Sequence, residues 1–94
     1  MATEVVQDAP QNRFQLLLDG EYVGETDYIL RDDSIVFTHT EVDPAHQGEG
    51  LASELVRGAL NLVRAETELR VVAKCPYMAK WIEKHPDYQD LLTR

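Results

Sequence analysis

The stretch EVDPAHQGEGLASELV, residues 41–56, sets two glycines and a glutamine where a run of β-forming residues gives way to a helical pattern. It contains no lysine or arginine. A helix start leaves backbone N–H groups without partners and carries partial positive charge. Where glycine removes the side-chain obstruction, such amides can wrap a phosphate or diphosphate. Gly48 and Gly50 stand at that position, so an anion could be held by main chain alone. The same pattern, Asp43-Pro44 plus two glycines, also makes a plain loop in which Gly50 permits a sharp turn. Glu49 must face solvent if an anion is to be held.

Three further side chains could do chemistry. Cys75 falls between a strand pattern and Pro76, a residue suited to the first position of a helix, where thiols are more reactive; a small buried hydrophobe is the competing reading. His39 and Glu41 lie two apart in an extended run, which puts their side chains on one face about 7 Å apart. A histidine that titrates near neutrality is a natural proton acceptor, and Glu41 could orient it or act through water. Both could equally be structural groups beneath the loop. Tyr77 reads as packing or as a proton donor, and His85 as a structural group at a helix end. Trp81 and Tyr88 read as core and His46 as exposed loop. Three scattered histidines and one cysteine do not make a metal site.

The elements that position these residues follow from periodicity. Residues 12–19, 21–31 and 34–42 read as strands joined by the tight turns Asp19-Gly20 and Asp32-Asp33, with Gly24 marking a bulge. In the third strand, alternation groups Ile35, Phe37, His39 and Glu41 on one face. Leu51, Ala52, Leu55, Val56, Ala59, Leu62 and Val63 then recur at helical spacing, giving an amphipathic helix over 50–66. Residues 69–74 return to strand, parallel to 34–42 through the crossover. A second helix covers 76–84, stopped by Pro86, and YQDLL adds a final turn. The order is β-β-β-α-β-α. Residues 1–11 read as a flexible tail ahead of one domain, 12–94.

Bulk properties narrow the function. Ninety-four residues at 44% hydrophobic make one small domain. A formal charge of −8 argues against nucleic acid, whose phosphates need clustered cations. No run is long and apolar enough to span a membrane, and the start of the chain lacks the pattern of a signal peptide. The single cysteine excludes an internal disulfide and fits a reducing compartment, so a cytoplasmic location is expected.

Gln47-x-x-Gly50-x-Ala52 resembles the Q/R-x-x-G-x-G/A signature of the GNAT superfamily of acetyl-coenzyme A-dependent N-acetyltransferases. With FTHTEVDPAHQGEGLASELV, the strand leading to KCPYMAKWI, and KHPDY, the chain is similar over residues 14–92 to the minimal single-domain GNAT-like proteins of the YjdJ type. The resemblance implies an α/β (α+β) truncated GNAT fold, a mixed sheet whose two central parallel strands, 34–42 and 69–74, splay apart to admit the pantetheine arm. It implies acetyl-CoA or coenzyme A as cofactor, bound by Val42, Gln47, Gly48, Glu49, Gly50, Leu51, Ala52 and Ser53. Cys75 would face the splay as nucleophile or proton donor, with His39 and Glu41 as candidate bases. Where typical members insert helices between the first two strands, this chain has only a tight turn, which leaves the acceptor side open and suits an amine on a protein or peptide. A monomer or weak dimer is expected. The competing reading is a coenzyme A-binding module with little or no turnover, and a cysteine redox sensor is a third.

Overall fold

The computed structural model describes residues 2–94. Five strands form one sheet in chain order: β1 (Thr3–Asp8), β2 (Arg13–Leu18), β3 (Glu21–Arg31), β4 (Ser34–Val42) and β5 (Arg70–Ala73). The first four are antiparallel neighbours, and β5 joins β4 in parallel after the crossover helix α1 (Leu51–Glu66). Helix α2 (Pro76–Glu83) follows, then a 3-10 segment over Pro86–Thr93. The β2–β3 hairpin closes on Asp19 and Gly20, both at positive φ, the conformation a two-residue Asp-Gly turn requires.

Two expectations change here. The lead-in is not a flexible tail, because Thr3–Asp8 pairs antiparallel with β2 along its whole length. It is seated by Gly58 of α1, where an added Cβ would lie 2.7 Å from Val5 Cβ, so helix and strand approach closely only because that side chain is absent. The parallel pair also lies at one side of the sheet, with β5 as its edge, since the chain beyond α2 forms a 3-10 segment and no further strand.

Helices α1 and α2 and the Pro86–Thr93 segment pack on one face. The apolar stripe of α1 (Leu51, Leu55, Val56, Ala59, Leu60, Val63) meets Phe14, Leu16, Tyr28, Ile35, Phe37 and Val42 from alternate strand positions, and Met78, Trp81, Ile82 and Leu91 close the same core. The last residue locks this layer, as the Arg94 guanidinium donates to the carbonyls of Val63, Arg64, Thr67 and Leu69 at 2.9–3.4 Å, pairing a cation with the carbonyl end of α1. The opposite face carries Arg13, Glu25 and Asp27, with Arg13 paired to Glu25 at 3.4 Å and to Asp27 at 3.3 Å.

Candidate functional site

The site begins where β4 outlasts its neighbour. β4 and β5 pair from Ser34↔Arg70 to Phe37↔Ala73 and then part, with both Lys74 and Cys75 amides donating to the Phe37 carbonyl at 3.0 Å. Beyond Phe37, β4 continues to Val42 paired only with β3. An antiparallel-paired strand with a free second edge exposes backbone donors and acceptors that an extended ligand can meet.

At the start of this free half the register shifts. Tyr28 faces Phe37 and Asp27 faces His39, leaving Thr38 as an extra residue whose hydroxyl donates to the Asp27 carbonyl at 3.4 Å. A one-residue bulge exchanges the faces of everything after it. Thr40 and Val42 therefore turn to the core with Ile35 and Phe37, while His39 and Glu41 turn to the uncovered face, exposed beside Asp27 and Glu25. The expected pairing of His39 with Glu41 holds, but their grouping with Ile35 and Phe37 does not. Gly24 answers the same geometry from β3, since a Cβ there would lie 2.9 Å from the Glu41 carbonyl oxygen.

The chain then leaves β4 through a short turn. Asp43 Oδ1 accepts from the Ala45 backbone N–H at 2.9 Å, and the Gln47 side-chain Nε2 donates to the Val42 carbonyl at 3.3 Å, tying the signature glutamine to the strand end. Gly48 and Gly50 sit at φ +88° and +75°, and no atom lies within 4 Å of a Cβ built on either. Gly50 is the N-cap of α1 and makes no side-chain cap, so the first-turn amides have no capping side chain as partner. The loop has the form that anion binding by main chain requires.

Strand edge and loop enclose one cleft of about 500 Å³. Among the expected residues, His39, Glu41, Val42, Gln47, Gly48, Gly50, Leu51 and Ala52 line it. Glu49 turns to His46 at 3.4 Å, and Ser53 instead accepts from Trp81 Nε1 at 2.8 Å. Cys75 does not reach the wall. It is 4% exposed in the core, and its thiol donates to Thr40 Oγ1 at 3.3 Å. Thr40, which does line the cleft, also shares a 3.0 Å hydrogen bond with Thr26.

Three lining residues were not assigned to the site from sequence. His46, read as exposed loop, is half-buried on the wall, brought in by the Pro44–His46 turn. Tyr77, at the start of α2, is 42% exposed and faces the cleft, and burial raises its hydroxyl above the ordinary tyrosine value. Thr40 carried no signal except its place two residues before Val42. Asp27, beside His39, is raised above the ordinary carboxylate value first by burial and then by Glu25, against the pull of Arg13. His85 is structural as expected, stacked on Trp81 at 3.7 Å between ring centroids with its Nδ1–H donating to the Trp81 carbonyl at 2.6 Å. A second hollow, about 370 Å³ along β5 and α2, has no nucleophile or proton acceptor among its lining side chains. Among the described residues, no group of His, Cys, Asp and Glu could hold a metal, and no helix is long and apolar enough to cross a membrane.

The parallel strand pair parts beside a glycine-led helix with no side-chain cap, the arrangement that the resemblance to the GNAT superfamily implies. The GCN5-related N-acetyl-transferase family model matches residues 13–91, and the chain belongs to that family. Protein NATD1 of Gallus gallus is 30% identical over 92 residues, covering 88% of this chain and 76% of that protein. Its Homo sapiens counterpart, also Protein NATD1, is 31% identical over 91 residues, covering 87% and 74%. The crystal structure of ribosomal-protein-alanine N-acetyltransferase from Brucella melitensis biovar Abortus 2308 has the same fold, with a TM-score of 0.60 at 19% identity over 78% of this chain. This chain spans only 60% of that enzyme's chain. Strand β1 lies ahead of the family match.

Proposed function

We propose that this chain binds acetyl-coenzyme A and transfers its acetyl group to an amine, as a minimal GNAT of the YjdJ type working in the cytoplasm. The observation that carries the reading is the joining, in one cleft, of a β4 edge free of β5 with a helix start whose amides no side chain caps. The residues fit the ligand. Positive-φ glycines with empty space over them suit a diphosphate, and the free edge over residues 38–42 suits an amide-bearing arm. Bound there, the cofactor supplies an activated acetyl thioester.

The chain's own groups serve the proton traffic. An attacking ammonium must lose a proton, and His39 and Glu41 are the exposed acceptors on the cleft wall. The departing thiolate needs a proton, and the Tyr77 hydroxyl, kept protonated by partial burial, faces the same space. Cys75 acts through Thr40, holding its hydroxyl in place, so the acetyl group passes to the amine directly; an acetyl-cysteine would require the thiol to swing out past Thr40. The Asp19-Gly20 turn leaves the His39–Glu41 face without a covering element, which suits an amine carried by a protein or peptide.

The uncovered acceptor side also favours the second reading, a coenzyme A-binding module with little turnover. Thiol release from acetyl-coenzyme A separates them: the proposal expects steady release that rises with added peptide amine. Saturable binding without amine-dependent release supports the module.

A further inference from the structure

Every lysine in this acidic chain falls within residues 74–84. Lys80, on α2, and Lys84, the residue that caps its C-terminus, are exposed and stand one helical turn apart, and with Tyr77, Trp81 and His85 they line a hollow of about 240 Å³. Tyr77 lines both this hollow and the cleft, so the two adjoin. The connection to the anion-binding loop is short. Trp81 Nε1 donates to Ser53 in the first turn of α1 at 2.8 Å, and Arg57, one turn further along α1, holds its guanidinium 5.2 Å over the Trp81 ring. Among the described residues, no lysine forms an ion pair.

Unpaired cations gathered on one side of a chain of net charge −8 favour an anion there, and the loop beside them already suits one. We infer that this hollow takes a second phosphate of the same ligand, the 3′-phosphate on the ribose of coenzyme A, with Lys80 and Lys84 as its cations and the stacked Trp81–His85 pair as its floor. The inference rests on the acetyl-coenzyme A reading above. It gives the chain a means of telling coenzyme A from its 3′-dephospho form that the main-chain loop, which meets only the diphosphate, does not have.

Titration calorimetry on the full chain with coenzyme A and with 3′-dephospho-coenzyme A tests it. Two exposed cations on one phosphate predict roughly three- to tenfold tighter binding of coenzyme A, a preference that shrinks as salt rises. Lys80→Gln/Lys84→Gln, two exposed positions whose folding circular dichroism verifies, should bind both ligands with the affinity the wild type has for the dephospho form. Equal wild-type affinities overturn the inference and leave the cofactor reading standing, and a preference that survives in the double variant does the same. Absence of binding by both ligands removes the cofactor reading and this inference with it.

Discussion

The Cys75 thiol donates to Thr40 Oγ1 across 3.3 Å, bridging the point where β5 has ended and β4 runs on alone. The thiol lies in the core and the hydroxyl on the cleft wall, so the pair couples α2 to the surface on which the acyl group is proposed to rest. Cys75→Ala should keep coenzyme A affinity and lower turnover by no more than about tenfold, the worth of one hydrogen bond. The Cys75→Ala rate, with intact mass of the wild type after incubation with acetyl-coenzyme A, checks this. A stable acetyl adduct on Cys75 and a loss of several hundredfold would establish a covalent route instead.

Gly50 caps α1 at φ +75°, with nothing near a built Cβ, so the cost of a side chain there is conformational rather than steric. Gly50→Ala should lower stability by about 1 kcal/mol and weaken coenzyme A binding by turning the first amides of α1. Thermal unfolding with and without ligand measures both. Asn tolerates the left-handed region better, so Gly50→Asn should retain more stability than the alanine variant.

How much of this was legible in the sequence depended on which signals are local. The Asp-Gly turn, the helix α1 and the Gln47–Ala52 signature are read within a few residues and stand where expected, although Leu60 is fully buried in the α1 stripe while Ala52 and Leu62 are only half-buried at its margins. The bulge at Thr38 is invisible to alternation along β4, because it exists only in the register against β3. That one inserted residue decides that His39 and Glu41 face the open side and Thr40 faces Cys75. β1 was missed for a similar reason. Thr3–Asp8 is short and polar, and what orders it is a partner strand and a glycine distant in sequence.

Gly58 is a direct probe of that docking. Gly58→Ala forces α1 and β1 apart at Val5 and should cost about 1–3 kcal/mol in urea denaturation. Hydrogen exchange should show lost protection over residues 3–8, with β3 and β4 unchanged.

Acid stability carries one sign that can be worked out. Arg64, 2.8 Å from Asp90, holds that carboxylate below its ordinary value of 3.8. A lowered folded-state value contributes stability that is present above the ordinary value and lost as pH falls through the folded one. Asp90→Asn should therefore be less stable than wild type near neutrality, the two curves converging below 3.8. Asp27, raised by burial, has the opposite sign: its contribution is full at low pH and lost as pH rises through its folded value. Asp27→Asn should remove that component from the acid limb, as denaturation at stepped pH would record.

The most direct measurement is an amide-resolved NMR titration of the chain with acetyl-coenzyme A. The account predicts saturable shifts concentrated on the amides of residues 38–42 and 47–53, the free strand edge and the glycine-led helix start. Shifts confined to the β5–α2 hollow, or a spectrum unchanged at saturating ligand, would contradict it.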